Sequence, residues 1–142
     1  MNDPFELSRF LVAQEDTYDD VLRELRQGKK TSHWMWFVFP QVTGLGDSEM
    51  SNYYSIASFD EAEAYLAHRV LGQRLIECAS LVMDIEGESA EQVFGSVDAM
   101  KFRSSMTLFG KIKSGHKVFQ RVLDRYFDGV PDSNTLRILA GA

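Results

Sequence analysis

Apolar residues recur at intervals of three and four along most of the chain, which is the spacing of one face of an α-helix. The longest apolar stripe lies between about Arg69 and Glu86 and is followed by Gly87. Its members are Leu71, Leu75, Cys78, Val82 and Ile85. A second stripe begins after Thr17 and ends before Gly28. Because glycine commonly follows the last turn of a helix, we predict two amphipathic helices here, the longer of which forms the centre of the core.

Residues that cap helices predict most of the other helix starts. The first of these helices is predicted from Asp3 to about Ala13, with Glu6 completing a capping box. The others are predicted from Ser58 to about His68, Ser89 to Gly95, Ser96 to about Lys113, His116 to about Phe127, and Asp132 or Ser133 to Leu139. No internal repeat recurs, and the three prolines are scattered. We therefore predict a single all-α domain over residues 1–142, an irregular bundle of about seven or eight short helices.

The segment Trp34–Gln41 has no clear period. Its sequence, WMWFVFPQ, is rich in aromatic residues, which favour a buried strand. A single strand would have no partner in a chain whose other segments predict helices, so a short buried helix is the better prediction. Ser32 is the expected N-cap and Pro40 the expected stop, because proline cannot continue a helix.

Two polar residues interrupt the apolar face of the helix predicted after Ser96. On a helical wheel, Lys101 and Ser105 fall within the arc of apolar side chains. Burying an unpaired ammonium is very unfavourable, and a buried hydroxyl without a hydrogen bond costs about 1–3 kcal/mol. Both side chains therefore need partners. Arg103 and Thr107, by contrast, are predicted to project from the opposite side toward solvent.

The sequence allows three interpretations of the buried lysine. One pairs Lys101 with an internal aspartate, for which the candidates are Asp16, Asp19, Asp60 and Asp98. Another extends the aliphatic stem of the lysine along the bundle until its ammonium reaches water. The last places a bound anion against Lys101 and Ser105.

Composition and charge narrow the class of protein. The chain has 142 residues, of which 44% are hydrophobic, enough for a core that needs neither disulfides nor metals. Its net charge of −6 makes nucleic acid an unexpected partner. The single cysteine, Cys78, cannot form an intramolecular disulfide, and neither a targeting signal nor an apolar run of membrane-spanning length is present. We therefore expect a cytoplasmic protein that does not bind membranes.

Several well-known catalytic and cofactor motifs are incomplete in this sequence. The segment Gly46–Met50 lacks the second glycine of a nucleophile elbow. Gly44-Leu45-Gly46 has no third glycine at the spacing of a dinucleotide-binding loop. None of the three histidines has a metal-ligating neighbour at helical spacing. We therefore predict no metal site and no cofactor.

Five motifs carry a resemblance to a known family. They are SHWMWFVFPQ at 32–41, GLG at 44–46, YLAH at 65–68, VLG at 70–72 and KFRSSMTLF at 101–109. On these motifs the chain strongly resembles, from Asp3 to Leu139, the bacterial domain-of-unknown-function family eighteen-ten (DUF1810). The resemblance implies a small, largely α-helical single domain and implies no reaction. Members often carry the label calpastatin, which does not suit this chain because calpastatin is a disordered repeat protein.

The aromatic segment and the interrupted helix together predict a binding site. We expect a pocket for an anionic small molecule, such as a nucleotide or a phosphate-bearing metabolite, where the two segments meet. A cation would offset the charge of the ligand, serine hydroxyls would donate hydrogen bonds and a tryptophan would stack on a planar ring. His33 is the candidate catalytic acid or base. The predicted ligand-binding residues are Trp34, Trp36, Gln41, Lys101, Arg103, Ser104 and Ser105.

Two other interpretations compete with this one. In the first, the aromatic segment and Lys29-Lys30 form an exposed patch for a protein partner, and the protein is a non-enzymatic interaction module. In the second, the segment His33–Gln41 is entirely core and Lys101 is ion-paired, so that the function lies elsewhere. Exposed tryptophans would favour the first, and the absence of a cavity between the two segments would favour the second.

Overall fold

Ten helices follow one another along residues 3–113 and 115–141, which are the residues that the computed structural model describes. They are α1 Ser8–Glu15, α2 Tyr18–Gln27, α3 Met35–Val38, α4 Glu49–Tyr53, α5 Phe59–Ala67, α6 Leu71–Asp84, α7 Ala90–Phe94, α8 Ser96–Gly110, α9 Val118–Tyr126 and α10 Ser133–Ala140. Extended pairing within the described ranges is limited to an isolated bridge between Val42 and Ile56. The all-α prediction is confirmed, although the helices outnumber the predicted seven or eight.

The helix at the centre of the fold is α8, whereas the sequence pattern predicted α6. Helix α8 packs against α3, α5, α7, α9 and α10, and eight of its fifteen residues are buried. The face of α8 that was predicted to face solvent carries Thr107. This residue is 1% exposed, and its hydroxyl accepts a hydrogen bond from the backbone N–H of Asp132 at 2.9 Å. The helical wheel was wrong about Thr107 because α10 and the loop before it pack against that face of α8.

The aromatic segment forms the short buried helix that was predicted, α3, with a different start. Trp34 precedes the first helical residue and none of the described side chains caps the helix, so the cap predicted at Ser32 is wrong. The helix ends at Val38, two residues before Pro40, in agreement with the predicted stop. Just beyond it, the Phe39 ring packs 4.7 Å from the Phe102 ring of α8, measured between ring centroids. This contact fixes α3 against α8.

The chain differs from the prediction at its first helix and in the segment before α5. The Asp3 carboxylate accepts hydrogen bonds from the N–H groups of Leu7 at 2.7 Å and Ser8 at 3.0 Å, so it caps a helix that begins later than expected. Glu6 has a positive φ of 52°, which takes it out of the predicted capping box. Helix α4 was not predicted because its five residues are too few to show a period, although Ser48 caps it.

The predicted caps at Ser58, Ser89 and Asp132 are confirmed by side-chain hydrogen bonds to the first turns of α5, α7 and α10. The predicted cap at Ser96 is wrong, because Ser96 is already helical. Gly95 connects α7 to α8 with a φ of +84°, a conformation that glycine adopts without strain. Since glycine has no side chain, the N-terminus of α8 has no side-chain cap from the described part of the chain.

Candidate functional site

A buried carboxylate organises the loop that leads into α3. Glu24 of α2 is 1% exposed, and its Oε1 accepts hydrogen bonds from the N–H groups of Thr31 (2.6 Å) and Ser32 (2.9 Å) and from the indole Nε1 of Trp34 (3.0 Å). Burial raises the pKa of this carboxyl, but the hydrogen bonds from Ser32, Thr31 and Trp34 outweigh that effect and lower the pKa of Glu24 to about 2. The ionised carboxylate therefore holds the loop in place.

Two lysines share one aspartate beside this loop. The Lys30 Nζ lies 2.8 Å from Asp98 Oδ2 and also donates to the carbonyl of Ser32. The Lys101 Nζ lies 3.9 Å from the other carboxylate oxygen, Asp98 Oδ1, and 4.8 Å from the centre of the Trp36 ring. Two ammonium groups thus face a single carboxylate, so the cluster keeps one positive charge that no carboxylate in it balances.

This arrangement shows how the fold accommodates Lys101. The internal ion pair was one of the three interpretations of the sequence, and Asp98 was among its candidates. At 3.9 Å the two atoms are too far apart for a hydrogen bond, and the lysine side chain is 23% exposed. The ammonium is therefore held by charge and by the Trp36 ring, while its N–H groups stay available to water or to a ligand.

A cavity of about 360 Å³, cavity A, opens between the loop and the start of α8. It is lined by Lys30, His33, Met35, Trp36, Phe94, Gly95, Ser96, Val97 and Asp98. Within the described part of the chain, nothing accepts a hydrogen bond from the N–H of Ser96 or Val97. The indole Nε1 of Trp36 is likewise buried without a partner there. Cavity A therefore combines the Lys30–Asp98 ion pair, a histidine and N–H groups of α8 that lack acceptors among residues 3–113 and 115–141.

A second cavity of about 230 Å³, cavity B, lies further along α8. It is lined by Gln41, Leu45, Gly46, Ser51, Val97, Met100, Lys101, Ser104, Asp132 and Asn134. Val97 lines both cavities, and the Lys101 ammonium of cavity B lies over the Trp36 ring of cavity A. The two cavities are therefore neighbours.

The structure distributes the predicted residues over these two cavities and the core. His33 and Trp36 line cavity A, whereas Gln41, Lys101 and Ser104 line cavity B. The remaining three, Trp34, Ser105 and Arg103, line neither cavity.

Those three residues have other surroundings. Trp34 is completely buried, and its Nε1 is bonded to Glu24, so neither face of its ring is free to stack on a ligand. Ser105 is also completely buried, and its Oγ has no partner among the described residues. The guanidinium of Arg103 donates to the carbonyl of Val130 at 2.9 Å and lies over the Phe127 ring, 5.4 Å from its centroid.

Sequence reasoning missed two sets of site residues. The backbone N–H groups of Ser96 and Val97 were missed because Ser96 was interpreted as a cap, although the glycine before it was the available signal. Asp132 and Asn134 were missed because nothing in the sequence of α10 indicates that its first turn lies beside α8.

The burial of the aromatic segment removes the basis for the exposed-patch interpretation. Trp34 is fully buried, Trp36 is partly buried, and Met35, Phe37, Val38 and Phe39 all belong to the core. The segment is therefore a wall of the cavities and a part of the core.

Tryptophan fluorescence can test this placement. The chain has two tryptophans, so Trp36→Phe leaves Trp34 alone and Trp34→Phe leaves Trp36 alone. We expect the Trp34 signal to be blue-shifted and weakly quenched by acrylamide, because no part of that side chain reaches water. The Trp36 signal should be quenched more strongly. Equal quenching in the two variants, with unchanged far-ultraviolet circular dichroism, would contradict the placement of these rings.

Within residues 3–113 and 115–141, no helix is both long enough and apolar enough to span a membrane. The same residues contain no group of three or more His, Cys, Asp and Glu side chains arranged to hold a metal ion.

Comparison with known proteins agrees with the resemblance seen in the motifs. A crystal structure at 1.38 Å of the conserved hypothetical protein Rv1873 from Mycobacterium tuberculosis is 48% identical to this chain, with a TM-score of 0.96. The match covers 97% of this chain and 99% of that one. No curated protein matches the chain. The family model for "Protein of unknown function (DUF1810)" matches residues 4–139, and the chain therefore belongs to the DUF1810 family.

Proposed function

We propose that this protein binds a small phosphate-bearing molecule in cavity A. The observation that carries the proposal is that Lys30, His33 and the first turn of α8 line one cavity, and that the N–H groups of Ser96 and Val97 in this turn have no acceptor among the described residues. The N–H groups at the start of a helix bind anions because they point outward and carry the positive end of the helix dipole, equivalent to about half a charge. Helix α8 has fifteen residues, and no side chain within residues 3–113 and 115–141 caps this end.

The surrounding charges favour an anion as well. The Lys30–Asp98–Lys101 cluster retains one positive charge. The protein as a whole has a net charge of −6, but the charged groups that line cavity A are one ammonium, Lys30, and one carboxylate, Asp98. The excess positive charge is on Lys101, which lines the neighbouring cavity B and lies over the Trp36 ring. An anion in this cavity would therefore interact favourably with the cluster as well as with the helix dipole.

Trp36 and His33 supply the other features of the site. The Trp36 ring lines cavity A, where a ligand can pack against it, whereas its Nε1 is enclosed by the protein. His33 is exposed and lines cavity A, where its imidazole can donate a hydrogen bond to a phosphate oxygen or act as an acid or base toward the ligand. His33 is thus the proposed acid or base if the protein catalyses a reaction on what it binds.

The test is isothermal titration of the protein with inorganic pyrophosphate, using two variants of Val97. This side chain is 66% exposed at the mouth of the cavity, so its replacement does not disturb the core. Val97→Glu places a negative charge beside the bound anion, whereas Val97→Gln adds a similar volume without charge. We expect the glutamate variant to bind about tenfold more weakly than the glutamine variant, which corresponds to about 1.4 kcal/mol.

Val97→Glu is not expected to destabilise the fold, because an acidic residue in the first turn of a helix is favourable. Binding should also weaken as salt is added, since the site is partly open to solvent. His33→Ala should weaken binding by the loss of one hydrogen-bond donor. If wild-type protein does not bind pyrophosphate at millimolar concentration, or if the two Val97 variants bind it equally, the proposal is wrong.

A further inference from the structure

We infer that cavity B holds the hydroxylated sugar of the same ligand, so that the ligand is a phosphorylated sugar or a ribonucleotide whose phosphate lies in cavity A. This inference rests on the proposed function. It adds the substrate class and assigns roles to Gln41, Lys101, Asp132 and Asn134.

The two cavities are arranged to receive one extended molecule. They meet at Val97, whose exposed side chain forms the only shared wall among the described residues. Cavity B, at about 230 Å³, is below the usual size of a ligand pocket, about 300–1,000 Å³, and cavity A, at about 360 Å³, is near its lower end. A site that includes both cavities lies well within that range.

The distance along α8 also suits a sugar phosphate. Val97 and Lys101 are separated by one helical turn, which corresponds to a rise of about 6 Å. A phosphate at the N–H of Val97 would therefore place the hydroxyls of an attached five-carbon sugar near the level of Lys101. The Lys101 ammonium makes no hydrogen bond within the described residues, lines cavity B and lies over the Trp36 ring of cavity A, so it can contact a ligand that spans both cavities.

The polar groups of cavity B match those of a sugar. In the described residues, the side-chain amides of Gln41 and Asn134 have no protein partner, so each offers a donor and an acceptor. Asp132 uses Oδ2 to bind the N–H and hydroxyl of Thr135, which leaves Oδ1 as an acceptor. Sugar hydroxyls both donate and accept hydrogen bonds, and a carboxylate oxygen commonly accepts from a ribose hydroxyl. A purely anionic ligand would instead be repelled by Asp132.

Two apolar side chains complete the lining of cavity B. Leu45 and Met100 line cavity B, and Met100 is 67% exposed although it is apolar. These side chains can contact the carbon-bearing face of the sugar, as apolar walls do in pockets that orient ligands with a few polar groups.

The experiment compares the affinities of four compounds that share a phosphate: inorganic phosphate, ribose 5-phosphate, 2-deoxyribose 5-phosphate and AMP. We expect ribose 5-phosphate to bind more tightly than inorganic phosphate, and 2-deoxyribose 5-phosphate to bind about fivefold more weakly than ribose 5-phosphate because one hydrogen-bonded hydroxyl is missing. AMP distinguishes the two ligand classes. If AMP binds more tightly than ribose 5-phosphate, the ligand is a ribonucleotide, and if AMP binds more weakly, the ligand is a phosphorylated sugar.

Asn134→Ala is the variant that tests the cavity itself. Asn134 is exposed, so its replacement leaves the core intact, and we expect a loss of about fivefold in affinity for ribose 5-phosphate with no change for inorganic phosphate. Ser133→Ala, at the exposed neighbouring residue that does not line the cavity, is the control and should bind both compounds as wild type does.

The outcomes separate this inference from the proposed function. If inorganic phosphate and ribose 5-phosphate bind equally well, or if Asn134→Ala weakens both alike, the role of cavity B is refuted while phosphate binding in cavity A stands. If none of the four compounds binds, the proposed function fails and the inference fails with it.

Discussion

Replacing Gly72 with alanine is expected to lower the free energy of unfolding by about 3 kcal/mol or more, the upper end of the range for overpacked sites. Gly72 lies in the first turn of α6, just after α5 ends. A Cβ atom at this position would lie 1.9 Å from the carbonyl oxygen of Leu66 and 2.8 Å from its carbonyl carbon. Because these are backbone atoms, no side-chain rotation can relieve the overlap, and α5 and α6 would have to separate.

The measurement is urea unfolding of wild type and two glycine variants, followed by the circular dichroism of the helices at about 222 nm. Gly110→Ala is the matched control, since Gly110 also lies in a helix and its added Cβ would meet nothing closer than the Phe119 Cβ at 3.8 Å. We expect that variant to stay within about 1 kcal/mol of wild type, because alanine is the better helix former. Equal stability of the two variants would show that α5 and α6 do not pack this closely.

Glu24→Gln is expected to lower the free energy of unfolding at neutral pH by about 2–3 kcal/mol, since hydrogen bonds to a charged group are stronger than those to a neutral amide. The carboxylate receives three hydrogen bonds on Oε1, from the loop that carries Lys30 and His33. Weakening them should loosen this wall of cavity A. Glu63→Gln, which changes an exposed glutamate of α5, is the control and should have almost no effect.

The same carboxylate makes a defined contribution to the pH dependence of stability. In the folded protein the pKa of Glu24 is lowered from 4.5 to about 2, so the unfolded chain takes up the proton first as the pH falls. The stability that ionised Glu24 provides is fully present above about pH 4.5 and is lost as the pH falls toward 2. The shift corresponds to about 3 kcal/mol.

This contribution can be isolated by comparing wild type with the glutamine variant. Between pH 5 and pH 2, wild type should lose about 3 kcal/mol more stability than Glu24→Gln, because the variant has no carboxyl to protonate at this position. Other carboxyls titrate in both proteins and cancel in the difference. Parallel stability curves for the two proteins would mean that Glu24 is not preferentially ionised in the folded state.

Most helices were predictable because their signals are local. The stripes of α2 and α6 and the caps at Ser58, Ser89 and Asp132 depend on residues within about one turn of each other. Errors occurred where the signal was short or where two cap residues were adjacent. Helix α4 has only five residues, and the cap of α8 is Gly95, one residue before the serine that was predicted.

The candidate site was predictable in part. The wheel position of Lys101 within an apolar arc showed that this side chain needed a partner, and the structure places its ammonium beside Asp98 and the Trp36 ring. The same reasoning did not distinguish Trp34 from Trp36. Which indole is enclosed depends on Glu24, a residue of another helix, and no local pattern reveals that contact.

The amino-acid sequence by itself determined the helical class, most helix ends, the family and the presence of a lysine and a serine on an apolar face. These follow from side-chain periodicity and from hydrogen bonds between residues close together in the chain. Only the tertiary structure decided that α8 is the central helix, that its start lines cavity A, and that Asp132 and Asn134, at the start of the last helix, line cavity B together with Lys101. Cavities are formed between elements that are distant in sequence, and their positions follow from packing of the whole chain.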